Sequence, residues 1–195
     1  MSKTLDVYLS FSSPFAYLAN TQLTALAKRT QCNINYHVID LYKVMQVSGN
    51  PGPKDVPAKI KYIVKDIFDW CKYYGVTINV PSRLAIDSTP GAAAALTAKD
   101  GRKLPEFIDR VMRAYFVEDL DIADAQVLGK LGAEVGLDSE VVAAAVTDPA
   151  ILDRVAADAE AAVKRGVFGV PAFFIDDDMY WGNDRLMFVE QALKS

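Results

Sequence analysis

The sequence predicts an α/β fold in which a βαβ unit and a closing ββα unit bracket a long helical stretch. Three observations predict it. Apolar and polar residues alternate over 5–10 and again over 33–39, with helical spacing between them. From residue 58 to residue 164 each periodic stretch has helical spacing. After Gly166 the period shortens again, and residues 186–194 read as a last helix.

Leu5-Asp6-Val7-Tyr8-Leu9-Ser10 forms the first predicted strand. Residues 15–29 place Phe15, Leu18, Ala19, Leu23, Leu26 and Ala27 at helical spacing. In 33–39, Ile34, Tyr36 and Val38 share one strand face. A strand, a helix and a strand in such a short span make a right-handed βαβ unit with parallel strands. Ser48-Gly49-Asn50-Pro51-Gly52-Pro53, with Pro57 beyond, reads as a shaped loop. The helix predicted over 58–74 carries Ile60, Ile63, Val64, Ile67, Trp70, Cys71 and Tyr74, and Gly75 stops it. The Ala-rich stretch 91–97 predicts close helix packing. Helices follow over 104–116, 123–135, 139–146 and 149–164, punctuated by Gly136-Leu137-Asp138 and Asp148-Pro149. Gly166 to Pro171 is a tight apolar turn, 172–175 a buried strand, and 179–181 the returning strand. Asp176-Asp177-Asp178 between them is a solvated hairpin turn rather than a metal site. Asn183 or Asp184 is expected to cap the last helix. This order is a thioredoxin-like fold interrupted by a helical insertion domain. The expected division is 1–45 with 165–195 for the first part and 46–164 for the insertion.

Composition narrows the function classes. The chain has 195 residues, 51% of them apolar, which suits one domain with a sizeable core. A net charge of −4 with no run of Lys or Arg argues against nucleic-acid binding. The uncharged stretch 7–27 is interrupted by Ser10, Ser12, Ser13, Pro14, Asn20, Thr21, Gln22 and Thr24. Its longest apolar run, 15–19, is too short for a signal peptide or a membrane span. The chain therefore reads as mature and cytoplasmic. Cys32 and Cys71 form no C-x-x-C pair and there is one histidine, so no common zinc pattern is present and no metal is expected.

Ser13 is the first chemical focus. It follows a strand and precedes a helix with Pro14 at its first position. A thioredoxin-like fold places its reactive Cys-Pro-x-Cys turn here; this chain has Ser13-Pro14-Phe15-Ala16, so disulfide exchange at the turn is excluded. Ser12 or Ser13 as a simple cap is the plain alternative. The only histidine, His37, lies in the second strand, which leaves Ser13 without a base and argues against Ser-His-Asp chemistry. A serine hydroxyl can instead donate to an external thiolate. Lowering a thiol pKa by two units takes about 2.7 kcal/mol. A helix dipole gives about 0.3–1 kcal/mol, and a hydrogen bond to a charged acceptor about 1.5–3 kcal/mol. Together these suffice without a protein cation.

Val170-Pro171 is the second focus, because a cis bond there would turn the Val170 backbone outward to pair with an extended peptide. A cysteine-containing peptide such as glutathione suits both Ser13 and this edge. Asn183 and Asp184 suit an α-amino and carboxylate pair as well as a cap. Lys59, Tyr62 and Asp66 share one side of a helix, which by spacing alone reads as a solvated side. Asn50 reads as a turn residue.

The segment from Tyr8 to Asn20, the loop Ser48-Gly49-Asn50-Pro51-Gly52-Pro53, and Val167-Phe168-Gly169-Val170-Pro171 through Trp181-Gly182-Asn183-Asp184-Arg185-Leu186 resemble the 2-hydroxychromene-2-carboxylate isomerase family. They are similar also to kappa-class glutathione transferases, within the DsbA-like thioredoxin superfamily. The resemblance spans most of the chain and is weakest over 92–162. It implies a glutathione-dependent, dimeric, bacterial-type enzyme. By that resemblance Ser13 faces the glutathione sulfur, Val170 and Pro171 meet the cysteinyl backbone, and Trp181, Gly182, Asn183 and Asp184 hold the γ-glutamyl end. Lys43, Asn50 and Lys59 surround a second pocket for a small aromatic anion. The implied reaction interconverts 2-hydroxychromene-2-carboxylate and trans-o-hydroxybenzylidenepyruvate in naphthalene breakdown. A conjugating transferase and a non-catalytic thiol-peptide binder are the alternatives. Two departures from the family bear on substrate: Asp87-Ser88 stands where relatives often carry Asn-Ser, and Phe116 where a Trp is common. A carboxylate at Asp87 would repel an anion if it lined the pocket.

Overall fold

A computed structural model describes residues 2–53, 56–83 and 86–195. Strand β1 (Thr4–Leu9), helix α1 (Pro14–Thr30) and strand β2 (Asn33–Val38) form the βαβ unit, with β1 and β2 parallel and Tyr8 beside His37. The closing unit is β3 (Ala172–Ile175), β4 (Asp178–Trp181), a 3-10 turn over Asn183–Arg185, and a last helix, Leu186–Lys194. β3 runs antiparallel to both β1 and β4, giving a mixed sheet in the order β2-β1-β3-β4. The chain thus has the thioredoxin-like α/β fold its periodicity predicts.

Seven helices lie between β2 and β3 among the described residues: α2 (Leu41–Ser48), α3 (Pro57–Tyr74), α4 (Thr89–Asp100), α5 (Leu104–Phe116), α6 (Ala125–Glu134), α7 (Ser139–Ala145) and α8 (Pro149–Lys164). The last helix is then α9. Caps explain several starts. Asp40, Asp124, Asp138 and Asp148 each turn a carboxylate oxygen onto N–H groups of the following first turn. No element is predicted between Ile39 and Ser48. The structure has α2 there, started by Asp40 and ended at Gly49 with φ +74°; its eight residues are too few to show a period.

α5 carries the core. Leu104, Phe107, Ile108, Val111, Met112, Ala114, Tyr115 and Phe116 are all buried. They join Leu5, Val7 and Leu9 of β1 and Phe173 of β3 in one continuous cluster, so sheet and helices share a core. Cys32 and Cys71 are free and buried. α4 confirms the reading of its alanines as close packing: Ala92, Ala93, Ala94, Ala95 and Ala98 are buried. At Gly91 a Cβ would stand 2.7 Å from the Phe11 ring, which only glycine avoids. α3 departs from expectation. Of its apolar stripe only Cys71 is buried, and Ile60 and Val64 are 43% and 46% exposed. Its N-terminal half is mostly exposed, so periodicity reported amphipathicity and not burial. No helix among the described residues is long and apolar enough to cross a membrane.

Candidate functional site

Ser13 is buried at the N-terminus of α1. Its Oγ accepts the Ala16 N–H at 3.2 Å, so it is a true N-cap. Accepting that bond directs the hydroxyl proton away from the helix. The nearest acceptor for it is the Val170 carbonyl, 3.5 Å away, at the outer limit of a hydrogen bond. The proton is thus held beside a helix end, weakly engaged and available to a stronger acceptor. α1 adds its dipole over 17 residues, and its first turn carries no acidic side chain to offset it. The cap reading and the donor reading of Ser13 therefore describe one geometry.

The Val170-Pro171 peptide bond is cis. Gly169 and Val170 precede it in a loop that Trp181 packs against: a Cβ on Gly169 would lie 3.0 Å from the Trp181 Nε1. The Phe168 and Trp181 rings lie 4.8 Å apart.

Two cavities lie at this turn: Ser12 and Pro14 line one, Phe15 and Val170 the other, and Ser13 itself lines neither. One, of about 200 Å³, is lined by Phe15, Asp66, Val170, Pro171, Trp181, Gly182, Asn183, Asp184 and Arg185. The structure therefore gathers Val170, Pro171, Trp181, Gly182, Asn183 and Asp184 around one space. Asn183 is 3% exposed and its Nδ2 has no partner, a buried donor without an acceptor. Such a group costs about 1–3 kcal/mol unless something binds it. Burial, and then the Asp184 carboxylate, push the Asp66 pKa above its ordinary value. The second cavity, of about 160 Å³, is almost wholly apolar. Ser12 and Pro14 line it from one side of Ser13, and Val64, Ile67 and Phe68 of α3 from another. Ile78, Val80, Pro81, Tyr115 and Phe116 complete the wall with Asn79. The Tyr115 hydroxyl donates to the Arg83 carbonyl at 2.6 Å, and burial pushes its pKa to about 12, so it stays neutral.

Other predicted residues fall elsewhere. Lys43 and Lys59 do not line the apolar cavity. Lys43 lies 4.0 Å from Glu160 of α8, and Lys59 is exposed in the first turn of α3. Asn50 lines neither cavity; its Nδ2 donates to the Phe168 carbonyl at 2.8 Å. Neither Asn183 nor Asp184 caps α9. A 3-10 turn over Asn183–Arg185 intervenes, and α9 starts from Arg185 without a side-chain cap. Asn183 is turned into the protein instead. Asp87 does not line the apolar cavity: it is exposed and its Oδ1 accepts the Thr89 N–H at 2.9 Å at the start of α4. The repulsion that Asp87 threatened does not arise there. Phe116 does line the cavity, stacked on Tyr17 at 5.1 Å.

Asp66 is the residue that spacing undervalued. Its place seven positions after Lys59 suggested only a solvated side, and the fold puts it in the lining of the cavity it shares with Asp184. The wall over 78–81 has no periodic signal at all. His37 offers Ser13 no base. Its Nε2 lies 3.1 Å from Asp6 and its ring stacks on Tyr8 at 4.4 Å, lining a separate cleft with Lys99 and Arg165. Proton abstraction from Ser13 is thus unsupported, and donation from it is supported.

The profile of the DSBA-like thioredoxin domain family matches residues 4–194. The chain is 36% identical over 195 residues to 2-hydroxychromene-2-carboxylate isomerase of Sphingobium xenophagum, covering 99% of each. It is 24% identical to glutathione S-transferase kappa 1 of Rattus norvegicus, over 94% of this chain and 88% of that one. Among solved structures, that of a 2-hydroxychromene-2-carboxylate isomerase superposes with a TM-score of 0.88 at 30% identity. It covers 97% of this chain and 94% of its own.

Proposed function

Because the chain belongs to the DSBA-like thioredoxin domain family, and because its thiol turn carries no thiol, we propose that it is a glutathione-dependent isomerase. Its reaction interconverts 2-hydroxychromene-2-carboxylate and trans-o-hydroxybenzylidenepyruvate, a step of naphthalene-type catabolism. The observation that carries this reading is the buried Ser13 hydroxyl, weakly engaged, on a turn whose neighbours Ser12 and Pro14 line an apolar cavity and Phe15 a second cavity shared with Val170, Asp66 and Asp184.

The residues present fit glutathione. The orphaned Asn183 amide needs an acceptor, which a carboxylate supplies. Asp66 and Asp184 line one cavity; Arg185 pairs with Asp184 at 3.2 Å, which leaves the Asp66 carboxylate to an ammonium group. Val170 offers backbone groups at a sheet end to an extended peptide. Glutathione held by Ser13, Val170, Asn183 and Asp184 would supply a nucleophilic sulfur for reversible addition to the substrate.

The chain's own contribution is electrostatic and steric. Ser13 gives its hydroxyl proton to the sulfur side while Ala16 N–H keeps the oxygen in place. The α1 dipole adds to that stabilisation. Pro14, Ile67, Phe68 and Phe116 exclude water from the aromatic ring in the apolar cavity. Lys43 and Lys59 are the cations this reading assigns to drawing the substrate carboxylate toward the site. The protein is also proposed to be a cytoplasmic homodimer. Tyr62, Tyr73 and Met187, 63%, 78% and 63% exposed on α3 and α9, support a covered surface.

One observation favours a second reading. No described residue lining the apolar cavity is a cation, which suits a neutral electrophile and hence a conjugating transferase. Mass spectrometry after incubation with glutathione and each electrophile separates the two. Isomerised acid free of glutathione is the expected product; a stable adduct supports the transferase. Absence of glutathione uptake by calorimetry at millimolar concentration overturns both.

A further inference from the structure

We infer that Ser12 is a second working hydroxyl of the site, which hydrogen-bonds the oxygen on the benzene ring of the aromatic acid. The inference rests on the functional reading above and names one contact within it. Ser12 is partly buried and lines the apolar cavity. A tight turn fixes its place: the Ser13 N–H donates to the Ser10 carbonyl at 3.2 Å. Phe11, inside the same turn, is wholly buried. Its ring lies edge-on to Phe107 at 6.3 Å, and the Gly91 backbone comes so close that a Cβ there would stand 2.7 Å from it. Ser12 therefore projects from a rigid corner, which suits a contact that must be placed in advance of the ligand.

The direction of its proton follows from its neighbour. Ser10 is completely buried, and its Oγ lies 3.2 Å from Ser12 Oγ. Among the described residues the Ser10 hydroxyl has no other partner. Were Ser12 the donor, the Ser10 proton would sit in the core without an acceptor, a costly arrangement. Ser10 therefore donates and Ser12 accepts. That leaves the Ser12 proton uncommitted beside the cavity, and a hydroxyl that accepts one bond donates the next more strongly. Other polar groups of the wall are already engaged. The Tyr115 hydroxyl donates to Arg83 O at 2.6 Å, and the Asn79 Nδ2 donates to Val117 O at 2.6 Å. Both acids of the proposed reaction carry an oxygen on the benzene ring, a ring ether in the chromene and a phenol in the opened form. In an apolar cavity such an oxygen loses its water and needs a partner from the wall. Ser12 supplies it while the ring packs on Ile67, Phe68 and Phe116. Two consecutive hydroxyls thus serve different atoms: Ser13 the sulfur, Ser12 the aryl oxygen.

Two aromatic acids that differ only in this oxygen, o-hydroxycinnamate and cinnamate, read the contact by titration calorimetry. The wild type is expected to bind the hydroxylated acid about 3- to 10-fold more tightly. Ser12→Ala is expected to erase that preference and to leave the thiolate titration of bound glutathione where it was. Ser12→Thr keeps a hydroxyl and is expected to keep most of the preference. Equal affinities in the wild type overturn the inference and leave the glutathione reading standing. So does a preference that survives in Ser12→Ala; if the thiolate then titrates higher, Ser12 serves the sulfur instead. Loss of the preference in Ser12→Thr as well as in Ser12→Ala makes the effect one of cavity shape and overturns the inference too. Uptake of neither acid overturns it together with the reading of this cavity as an aromatic site. A protein that takes up no glutathione yet shows the Ser12-dependent preference overturns the glutathione reading alone and supports the contact.

Discussion

Replacing Ser13 by alanine removes one oxygen that makes two kinds of contact, and the two losses separate by assay. The first is the cap. Ala16 N–H loses its acceptor, which costs about 0.5–2 kcal/mol. In a domain of this size each 1 kcal/mol lowers the melting temperature by about 2–4 °C. The second is the donor to bound thiolate. A hydrogen bond to a charged acceptor contributes about 1.5–3 kcal/mol, equivalent to about 1–2 pKa units. The α1 dipole remains in the variant and retains about 0.3–1 kcal/mol. If bound glutathione titrates near pH 6.5 in the wild type, about three-quarters is thiolate at pH 7; in Ser13→Ala about 3–24% is. The rate is expected to fall by one to three orders of magnitude, about 1.4–4 kcal/mol. A pH titration of the ultraviolet thiolate absorbance of the complex, run beside thermal melts, reads both losses. Equal titration midpoints in the two proteins, with only the melting temperature lowered, would make Ser13 a cap and nothing more.

Asn183→Ala separates function from stability in the opposite direction. The orphaned amide is deleted, so the melting temperature is expected to hold or rise while the calorimetric affinity for glutathione drops; a large loss of stability instead would show that the amide has a partner within the fold. Asp66→Asn is expected to weaken glutathione binding about 10- to 100-fold. Because the Asp66 pKa is raised, the wild-type affinity should decline as pH falls through that raised value, and the variant should lack the step. The raised value also means that ionised Asp66 destabilises the fold, so Asp66→Asn should melt slightly higher at neutral pH. Glu190 is held down to about 2 by hydrogen bonds from Arg29 and Lys194. Its stabilising effect is complete above the ordinary carboxyl value of 4.5 and is lost as pH falls toward 2. The pair is solvent-screened and contributes about 0.2–1 kcal/mol; Glu190→Gln should flatten that part of the acid unfolding curve and leave the neutral range alone.

Much of this architecture is readable from local pattern. Residues 104–116, 149–164 and 172–175 have the bounds that spacing predicts, since each is a buried segment with a strong period or a clear stop. The serine turn is readable because Ser-Pro before an apolar period states both the cap and the helix start. What pattern hides is tertiary. α2 has too few residues to show a period, although Asp40 and Gly49 mark its two ends. Asp66 looks solvated until Asp184 is brought to it. The role of Asn183 inverts, from a surface cap to a buried donor, because a 3-10 turn rotates it inward. The cavity wall at Ile78, Val80 and Pro81 lies in irregular backbone, where side-chain direction follows from packing and not from spacing.

The hydroxyl and the carbonyl that face one another across the site are 157 positions apart. β1 has β2 on one side from early in the chain, yet its other edge is covered only by β3. During synthesis that edge stays open while every helix between is made, and an open strand edge invites pairing with other chains. Closing so long a loop is entropically slow. A nascent chain therefore carries Ser13 without the Val170 carbonyl that faces it in the finished fold. Pairing of β3 with β1 covers that edge and brings the Val170 carbonyl to Ser13 in the same stretch of chain.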